Sequence, residues 1–207
     1  LGFDQENFLS YAEVHTAIQS IQIKLNHLGV QTGDKVALFS TNSPQWGIAY
    51  FAVVSMGAIV VPMIAELEQH EVDKILEHSE SKAIFATKRL MDKVDKSQAN
   101  NLKIKIVLED ILTDVDFSVK AKAYNMSTVA EKDLAAILYT SGATGNPKGV
   151  MLSHKNLITN TIQADFTQPV NDEDRFLSVL PLAHTYANTL GLLLPMLNGA
   201  SVTYLRN

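Results

Sequence analysis

Short apolar strands alternate with longer segments of helical periodicity along most of the chain, and this alternation restricts the fold more than any other feature. The first helix follows Ser10 and Glu13, which form a capping box, and it ends at Gly29. Strands are predicted at 36–40, 59–63, 83–87, 104–108, 134–138, 176–180 and 201–205. Such alternation favours a mainly parallel sheet flanked by helices, an α/β fold.

Capping residues and helix-breaking residues indicate where the remaining helices begin and end. Ser43 can cap a helix with Pro44 at its first position, and Gly57 separates that helix from the next strand. Further helices are predicted at 68–79, 88–101, 153–168 and 185–197, the last with a kink at Pro195. The segment 109–133 is predicted to be irregular, with a short helix near Ser127–Lys132. We find no internal linker that would divide the chain into two domains.

Composition narrows the class of protein. The 207 residues are 46% hydrophobic and 19% charged, an ordinary globular mixture. A net charge of −5 argues against nucleic acid as the main partner. The chain has no cysteine and begins with neither an initiator Met nor a basic, apolar leader. We therefore expect a cytoplasmic protein, and we expect this chain to be an excised piece of it.

Two segments resemble functional patterns, a membrane-spanning helix and a metal-binding cluster. The uncharged stretch Trp46–Ala65 has the length of a membrane helix, but Gly47, Gly57 and Pro62 interrupt it, so we predict a buried helix and a strand instead. Five residues of the helix predicted at 68–79 suggest a metal cluster, but on a helix they form mainly a solvated face: His70, Glu71, Asp73, Glu77 and His78. No metal-binding residue is predicted, and peripheral contact with a membrane is left open.

A glycine-rich loop follows the strand that ends at Leu138. Its sequence from Tyr139 to Val150 is Tyr-Thr-Ser-Gly-Ala-Thr-Gly-Asn-Pro-Lys-Gly-Val. Glycines let backbone N–H groups approach phosphate oxygens closely, while hydroxyl groups and one lysine add donors and positive charge. The spacing excludes a Walker A loop, because Pro147 stands where the second glycine would be, and it also excludes a dinucleotide fingerprint and a nucleophile elbow.

This loop resembles the signature of the adenylate-forming superfamily, which comprises acyl-CoA synthetases, adenylation domains and luciferases. The match fails only at Ala143, where the family carries Thr or Ser. A second match follows at 176–186, Phe-Leu-Ser-Val-Leu-Pro-Leu-Ala-His-Thr-Tyr. The sequence around His184 is similar to that of bacterial long-chain fatty acid–CoA ligases. The resemblance implies that residues 1–207 are an incomplete part of the large N-terminal, AMP-binding domain.

The resemblance also implies residue roles. ATP phosphates would be bound by Thr140, Ser141, Gly142, Ala143, Thr144, Gly145 and Lys148. Lys148 and His184 would act in catalysis, with His184 near the reacting carboxylate, although a helix-capping role for His184 is the alternative. Tyr186 would line the acyl site. Ala187 stands where fatty acyl ligases often carry glutamate, which weakens the long-chain assignment. Mg²⁺ is expected with ATP, and coenzyme A as the thiol co-substrate.

The expected function is therefore ATP-dependent activation of a carboxylic acid, a long-chain fatty acid, to acyl-adenylate and then acyl-CoA. The family's adenine-binding, ribose-binding and C-terminal lysine motifs cannot be placed before Asn207, so the chain alone is expected to be inactive. Three alternatives stay open: an adenylation domain, a fatty acyl-AMP ligase that activates another acid, and a non-catalytic nucleotide-binding module. A P-loop kinase or GTPase is disfavoured.

Overall fold

The computed structural model describes residues 1–2, 8–118, 129–140 and 148–205. The helices are α1 (Tyr11–His27), α2 (Pro44–Ser55), α3 (Gln69–Ser79), α4 (Lys88–Lys96), α5 (His154–Thr167), α6 (Thr185–Asn188) and α7 (Leu194–Leu197). The strands are β1 (Lys35–Phe39), β2 (Ile59–Met63), β3 (Ala83–Ala86), β4 (Ile104–Val107), β5 (Leu134–Thr140), β6 (Lys148–Ser153), β7 (Arg175–Ser178) and β8 (Ser201–Tyr204). A 3₁₀ turn, Leu108–Asp110, follows β4.

Six strands form the main sheet in the order β4-β3-β1-β2-β5-β6. All neighbouring pairs are parallel except β5 and β6, which form an antiparallel hairpin. The predicted α/β fold with a mainly parallel sheet is confirmed. β7 and β8 pair in parallel as a separate sheet, which Gly2 joins through a bridge to Thr203.

Helices cover the main sheet on both faces, and the strand residues alternate between them. Val36 and Leu38 of β1 belong to the apolar cluster that includes α1 and α2. Ala37 and Phe39 belong to the cluster that includes α3 and α4. Every residue of β1 to β3 apart from Lys35 is buried, as expected for central strands covered on both sides.

Most local signals act as predicted. Ser10 and Glu13 form the capping box of α1, and the Ser43 hydroxyl accepts a hydrogen bond from the Trp46 N–H at the start of α2. Gly57 has φ of +78°, a left-handed conformation that turns the chain from α2 into β2. Within the described ranges, no helix combines the length and apolar character that crossing a membrane requires.

Three local predictions need correction. The helix predicted at 88–101 ends at Lys96, because the backbone of Ser97 is extended. Residues 129–133 form a turn instead of a helix, because the Asp133 carboxylate accepts a hydrogen bond from the Ala130 N–H and competes with helical bonding (Ser127 lies outside the described residues). The helix at 185–197 changes register in a π-helical turn, Thr189–Leu193, ahead of Pro195. Pro195 has no N–H to donate, so regular helical bonding is interrupted there.

Candidate functional site

The carboxyl ends of three adjacent parallel strands, β1, β2 and β5, lie at one edge of the main sheet. Phe39 pairs with Met63, so Ser40 lies level with Ile64. Val60 pairs with Ala136, and four residues further along each strand Ile64 lies level with Thr140. The glycine-rich loop therefore starts at the edge where open α/β sheets bind their ligands.

The hairpin of β5 and β6 holds the two ends of this loop together. Thr140 and Lys148 are cross-strand partners, and both side chains are exposed. Among the described residues, Lys148 has no carboxylate partner at ion-pair distance. A hydroxyl and an ammonium group thus flank the loop, an arrangement that suits a polyphosphate. The predicted ligands Ser141, Gly142, Ala143, Thr144 and Gly145 lie outside the described residues.

The chain leaves β6 through a second cap. Ser153 accepts a hydrogen bond from the Asn156 N–H, and the Asn156 side chain accepts one from the Ser153 N–H, so α5 begins with the reciprocal capping pattern. The His154 N–H donates to the Asp133 carbonyl at 3.0 Å. β5 and α5 therefore lie where the sequence predicted a strand and a helix, whereas the strand β6 was not predicted.

The second predicted motif is attached to the same edge by Asn42, which lies two residues after Ser40. The Asn42 amide donates to the Ser178 hydroxyl at 3.0 Å and to the Leu180 carbonyl at 2.8 Å. Its oxygen accepts from the Leu182 N–H at 2.9 Å. This clamp, which we call the Asn42 clamp, fixes the segment that leads from β7 to His184.

Sequence reasoning missed the Asn42 clamp. The Asn-Ser-Pro stretch was interpreted only as a helix start, a role that Ser43 and Pro44 do fulfil. The partners of Asn42 lie 136 to 140 residues away, and no local pattern identifies contacts over such a separation. The only available signal was an amide side chain placed directly after a buried strand.

His184 occupies the N-cap position of α6, but its side chain makes no capping hydrogen bond. The imidazole is exposed, so the structure gives no support to the helix-capping alternative. Tyr186 is also exposed, with 67% of its surface accessible. Ala187 is buried, which means that this position does not face the surface that carries His184 and Tyr186.

A small cleft of about 120 Å³ opens between these parts. Its lining comes from the chain after β1 and β2, from the end of β7 and the segment that follows it, and from the residue after β8: Ser40, Thr41, Asn42, Ala65, Glu66, Ser178, Val179, Pro181 and Leu205. Because β2 lies between β1 and β5, the end of β1 beside the cleft and the end of β5 at the start of the loop are about 10 Å apart. The loop and the His184 segment thus lie at the same edge of the sheet, beside the ends of β5 and β1.

Two titratable groups beside the hairpin are perturbed. Burial raises the pKa of Tyr139 to about 12, so its hydroxyl stays protonated at neutral pH. Burial lowers the pKa of His154 below its ordinary value and so favours the neutral imidazole. The negative charge of the Asp133 carboxylate opposes this shift in part. In the described part of the chain, no three His, Asp or Glu side chains converge as a metal site would require.

Comparison with known proteins agrees with this geometry. The family model of AMP-binding enzymes matches residues 2–207. The chain belongs to the AMP-binding enzyme family. The adenylate-forming resemblance of the two motifs is thereby confirmed, together with the fold that it implied.

The chain resembles members of the AMP-binding family that have different activities. It is 34% identical to 4-coumarate–CoA ligase 1 of Petroselinum crispum, over 90% of this chain and 36% of that protein. It is 31% identical to a long-chain-fatty-acid–CoA ligase of Mycobacterium bovis, over 87% of this chain and 32% of that protein. The chain spans about a third of the length of such curated relatives.

Solved structures from the AMP-binding family share the fold. ATP-bound MatB from Rhodopseudomonas palustris is 26% identical with a TM-score of 0.85, over 96% of this chain and 40% of that one. The N-terminal domain of FACL13 from Mycobacterium tuberculosis is 25% identical with a TM-score of 0.84, over 95% of this chain and 50% of that one.

Proposed function

We propose that the protein containing this chain activates a carboxylic acid with ATP and passes the acyl group to coenzyme A. The observation that carries the proposal is the shared edge. The loop flanked by Thr140 and Lys148 follows β5, and the segment that bears His184 is held beside the end of β1, so both lie at the carboxyl edge of one sheet in a chain of the AMP-binding family. Residues 1–207 would then be part of the large N-terminal domain of the complete enzyme.

In the first half-reaction, a carboxylate oxygen attacks the α-phosphorus of ATP, and the bond to the β-phosphate oxygen breaks. Negative charge builds on the departing pyrophosphate. The Lys148 ammonium, the Thr140 hydroxyl and donors from residues 141–145 stabilise that charge, which lowers the barrier. Ala143 still offers its backbone N–H, so we expect weaker phosphate binding rather than loss of function.

His184 and Tyr186 act on the acyl side of the reaction. The exposed imidazole of His184 orients the attacking carboxylate near the α-phosphate, and the Tyr186 ring lines the acyl site. In the second half-reaction, the sulfur of coenzyme A attacks the acyl carbonyl carbon, AMP leaves, and the thiol proton passes to solvent or to a nearby base.

Mg²⁺ accompanies the ATP phosphates in this proposal. Because the described residues provide no carboxylate cage, the ion would take most of its ligands from phosphate oxygens and water, as Mg²⁺ commonly does. ATP, Mg²⁺ and coenzyme A are thus the small-molecule partners. We place the protein in the cytoplasm, where contact with a membrane surface would be peripheral.

A long-chain fatty acid is the substrate that the motif around His184 favours. The similarity to a 4-coumarate–CoA ligase supports an aromatic acid as the second candidate. The buried Ala187 supports neither, because it cannot supply the acidic contact that fatty acyl ligases often have at this position.

ATP–pyrophosphate exchange by the complete gene product tests both candidates. Acetate, benzoate, 4-coumarate, decanoate and palmitate would be compared, with residues 1–207 alone as the control. Exchange with decanoate and palmitate supports the fatty acid, and exchange confined to the aromatic acids supports the second candidate. Absence of exchange with every acid would contradict acid activation by this protein.

A further inference from the structure

His78 of α3 contacts Tyr139 of β5, a pair that sequence reasoning did not connect. The His78 Nδ1 atom and the Tyr139 Oη atom are 2.7 Å apart, a hydrogen-bond distance. The two rings meet edge to face, with an interplanar angle of 87° and centroids 5.7 Å apart. The Tyr139 hydroxyl carries its proton at neutral pH, as tyrosines ordinarily do, so it can donate this hydrogen bond to Nδ1.

Gly149 gives the Tyr139 ring room to take this position. Gly149 is the cross-strand partner of Tyr139 in the hairpin. A Cβ atom at Gly149 would lie 2.8 Å from the Ile137 Cγ2 atom, which is too close for two carbon atoms, and 3.3 Å from the Tyr139 Cζ atom, which is tighter than an ordinary contact. The ring therefore lies against the β6 backbone, with its hydroxyl directed to α3.

The helix that holds His78 is itself fixed. Val72, Ile75 and Leu76 bury the inner face of α3 against the sheet. The Gln69 amide donates to the Lys93 carbonyl at 3.0 Å and so ties the first turn of α3 to α4. His78 lies in the last turn of α3, so its side chain extends from a packed helix to the hairpin.

Tyr139 and Gly149 are the cross-strand pair next to Thr140 and Lys148, which close the glycine-rich loop. A constraint on Tyr139 therefore acts one residue away from the proposed phosphate ligands. Positioning by even small distances matters in catalysis, because an error of about 1 Å can cost on the order of 10²-fold in rate.

We propose that His78 and Tyr139, seated on Gly149, form an anchor that positions the mouth of the glycine-rich loop for the phosphate chain of ATP. The proposal rests on the proposed acid-activating function. His78 and Tyr139 are positioning residues that act through Thr140, Lys148 and the loop. The exposed histidine that sequence reasoning assigned to a solvated helix face thus sets the geometry of a nucleotide site.

Two single variants of the complete gene product test the anchor. Tyr139→Phe keeps the ring and removes the hydroxyl, and His78→Ala removes the imidazole. Each is expected to raise KM for ATP in ATP–pyrophosphate exchange about three- to tenfold and to leave KM for the acid unchanged. The double variant should be no worse than the more affected single variant, because both changes break one contact.

Three further variants separate positioning from general stability. His78→Asn retains a polar atom close to the position of Nδ1 and should recover part of the loss. His70→Ala makes the same kind of change at an exposed position on α3, and Tyr11→Phe removes a hydroxyl that bonds the Ala200 carbonyl. Both controls should keep the wild-type KM for ATP.

The anchor is overturned if Tyr139→Phe and His78→Ala keep the wild-type KM for ATP, or if their effects simply add. Should the wild type show no exchange with any acid, acid activation fails, and amide hydrogen exchange then decides the anchor alone. Peptides covering β5 and β6 should exchange faster in both variants than in His70→Ala. Equal exchange rates would overturn the anchor independently of the enzymatic function.

Discussion

The centre of the main sheet and its carboxyl edge follow different physical rules. β1, β2 and β3 are buried almost throughout, and their side chains divide between two apolar clusters. At the edge, Lys148, His184 and Tyr186 are exposed, and hydrogen bonds of Asn42 and Tyr139 join the neighbouring segments to distant parts of the chain. Burial accounts for the scaffold, whereas we propose that a few polar contacts between distant segments position the site.

The largest expected effect comes from comparing an apolar residue at the centre of the sheet with one at its edge. Phe39 of β1 is fully buried, while Met151 of β6 is 67% exposed. Phe39→Ala is expected to reduce the free energy of unfolding by about 3–5 kcal/mol, through lost burial and a cavity. Met151→Ala is expected to change it by about 0.5 kcal/mol or less. Urea denaturation measures both, and equal losses would remove the distinction between centre and edge.

His184→Ala sharpens the comparison at the edge. The side chain is exposed and does not cap α6, so the free energy of unfolding should stay close to that of wild type. Acyl-adenylate formation is expected to slow about 10- to 100-fold, since a positioned imidazole acts on the reacting group. Thioester formation from supplied acyl-adenylate should fall much less. Single-turnover assays of each half-reaction measure this, and equal slowing of both would indicate a structural histidine.

Asn42→Ala tests whether distant polar contacts position the site. Three hydrogen bonds to residues 178–182 would be lost, which should cost about 1–2 kcal/mol of stability and also slow acyl-adenylate formation. Ser43→Ala is the matched control, because loss of the α2 cap should cost about 1 kcal/mol without changing the reaction. If Ser43→Ala slows the reaction as much as Asn42→Ala, the Asn42 clamp has no specific role.

The smallest expected effect is the pH dependence contributed by His154. Burial holds the folded-state pKa of His154 below the ordinary value of 6.5. The contribution of the neutral imidazole to the free energy of unfolding is therefore complete above pH 6.5, and it is lost as the pH falls through the lowered pKa. His154→Gln should therefore lose less stability than wild type when the pH is lowered from 7.5 to 5.5. Urea denaturation at the two pH values checks this, with His15→Gln on exposed α1 surface as the control. A slope for His154→Gln as steep as that of wild type would contradict the assignment.

The scaffold was predictable because its signals are local. The Ser10 capping box, the Ser43 cap with Pro44 and the turn at Gly57 each involve residues within a few positions of one another. Burial of Val72, Ile75 and Leu76 follows from helical spacing alone. The two motifs are local as well, and they identify the family and the candidate residues from the sequence alone.

The arrangement of the site was not predictable in the same way. The Asn42 clamp and the His78–Tyr139 contact join residues 61 to 140 positions apart, and neither leaves a periodic trace in the sequence. The separation of β7 and β8 from the main sheet also depends on long-range pairing, including the bridge from Gly2 to Thr203. The turn at 129–133 depends on one side chain, Asp133, and outweighs a weak helical tendency.

Pyrophosphate exchange by Lys148→Ala tests the central claim most directly. Lys148 is exposed at the end of the glycine-rich loop, and Lys103→Ala beside the edge strand β4 provides an exposed lysine as control. In the complete gene product, with the preferred acid at saturation, Lys148→Ala is expected to reduce kcat for exchange about 10²–10³-fold. Lys103→Ala should match wild type. Wild-type exchange by Lys148→Ala would contradict the assignment of this loop to the phosphate chain of ATP.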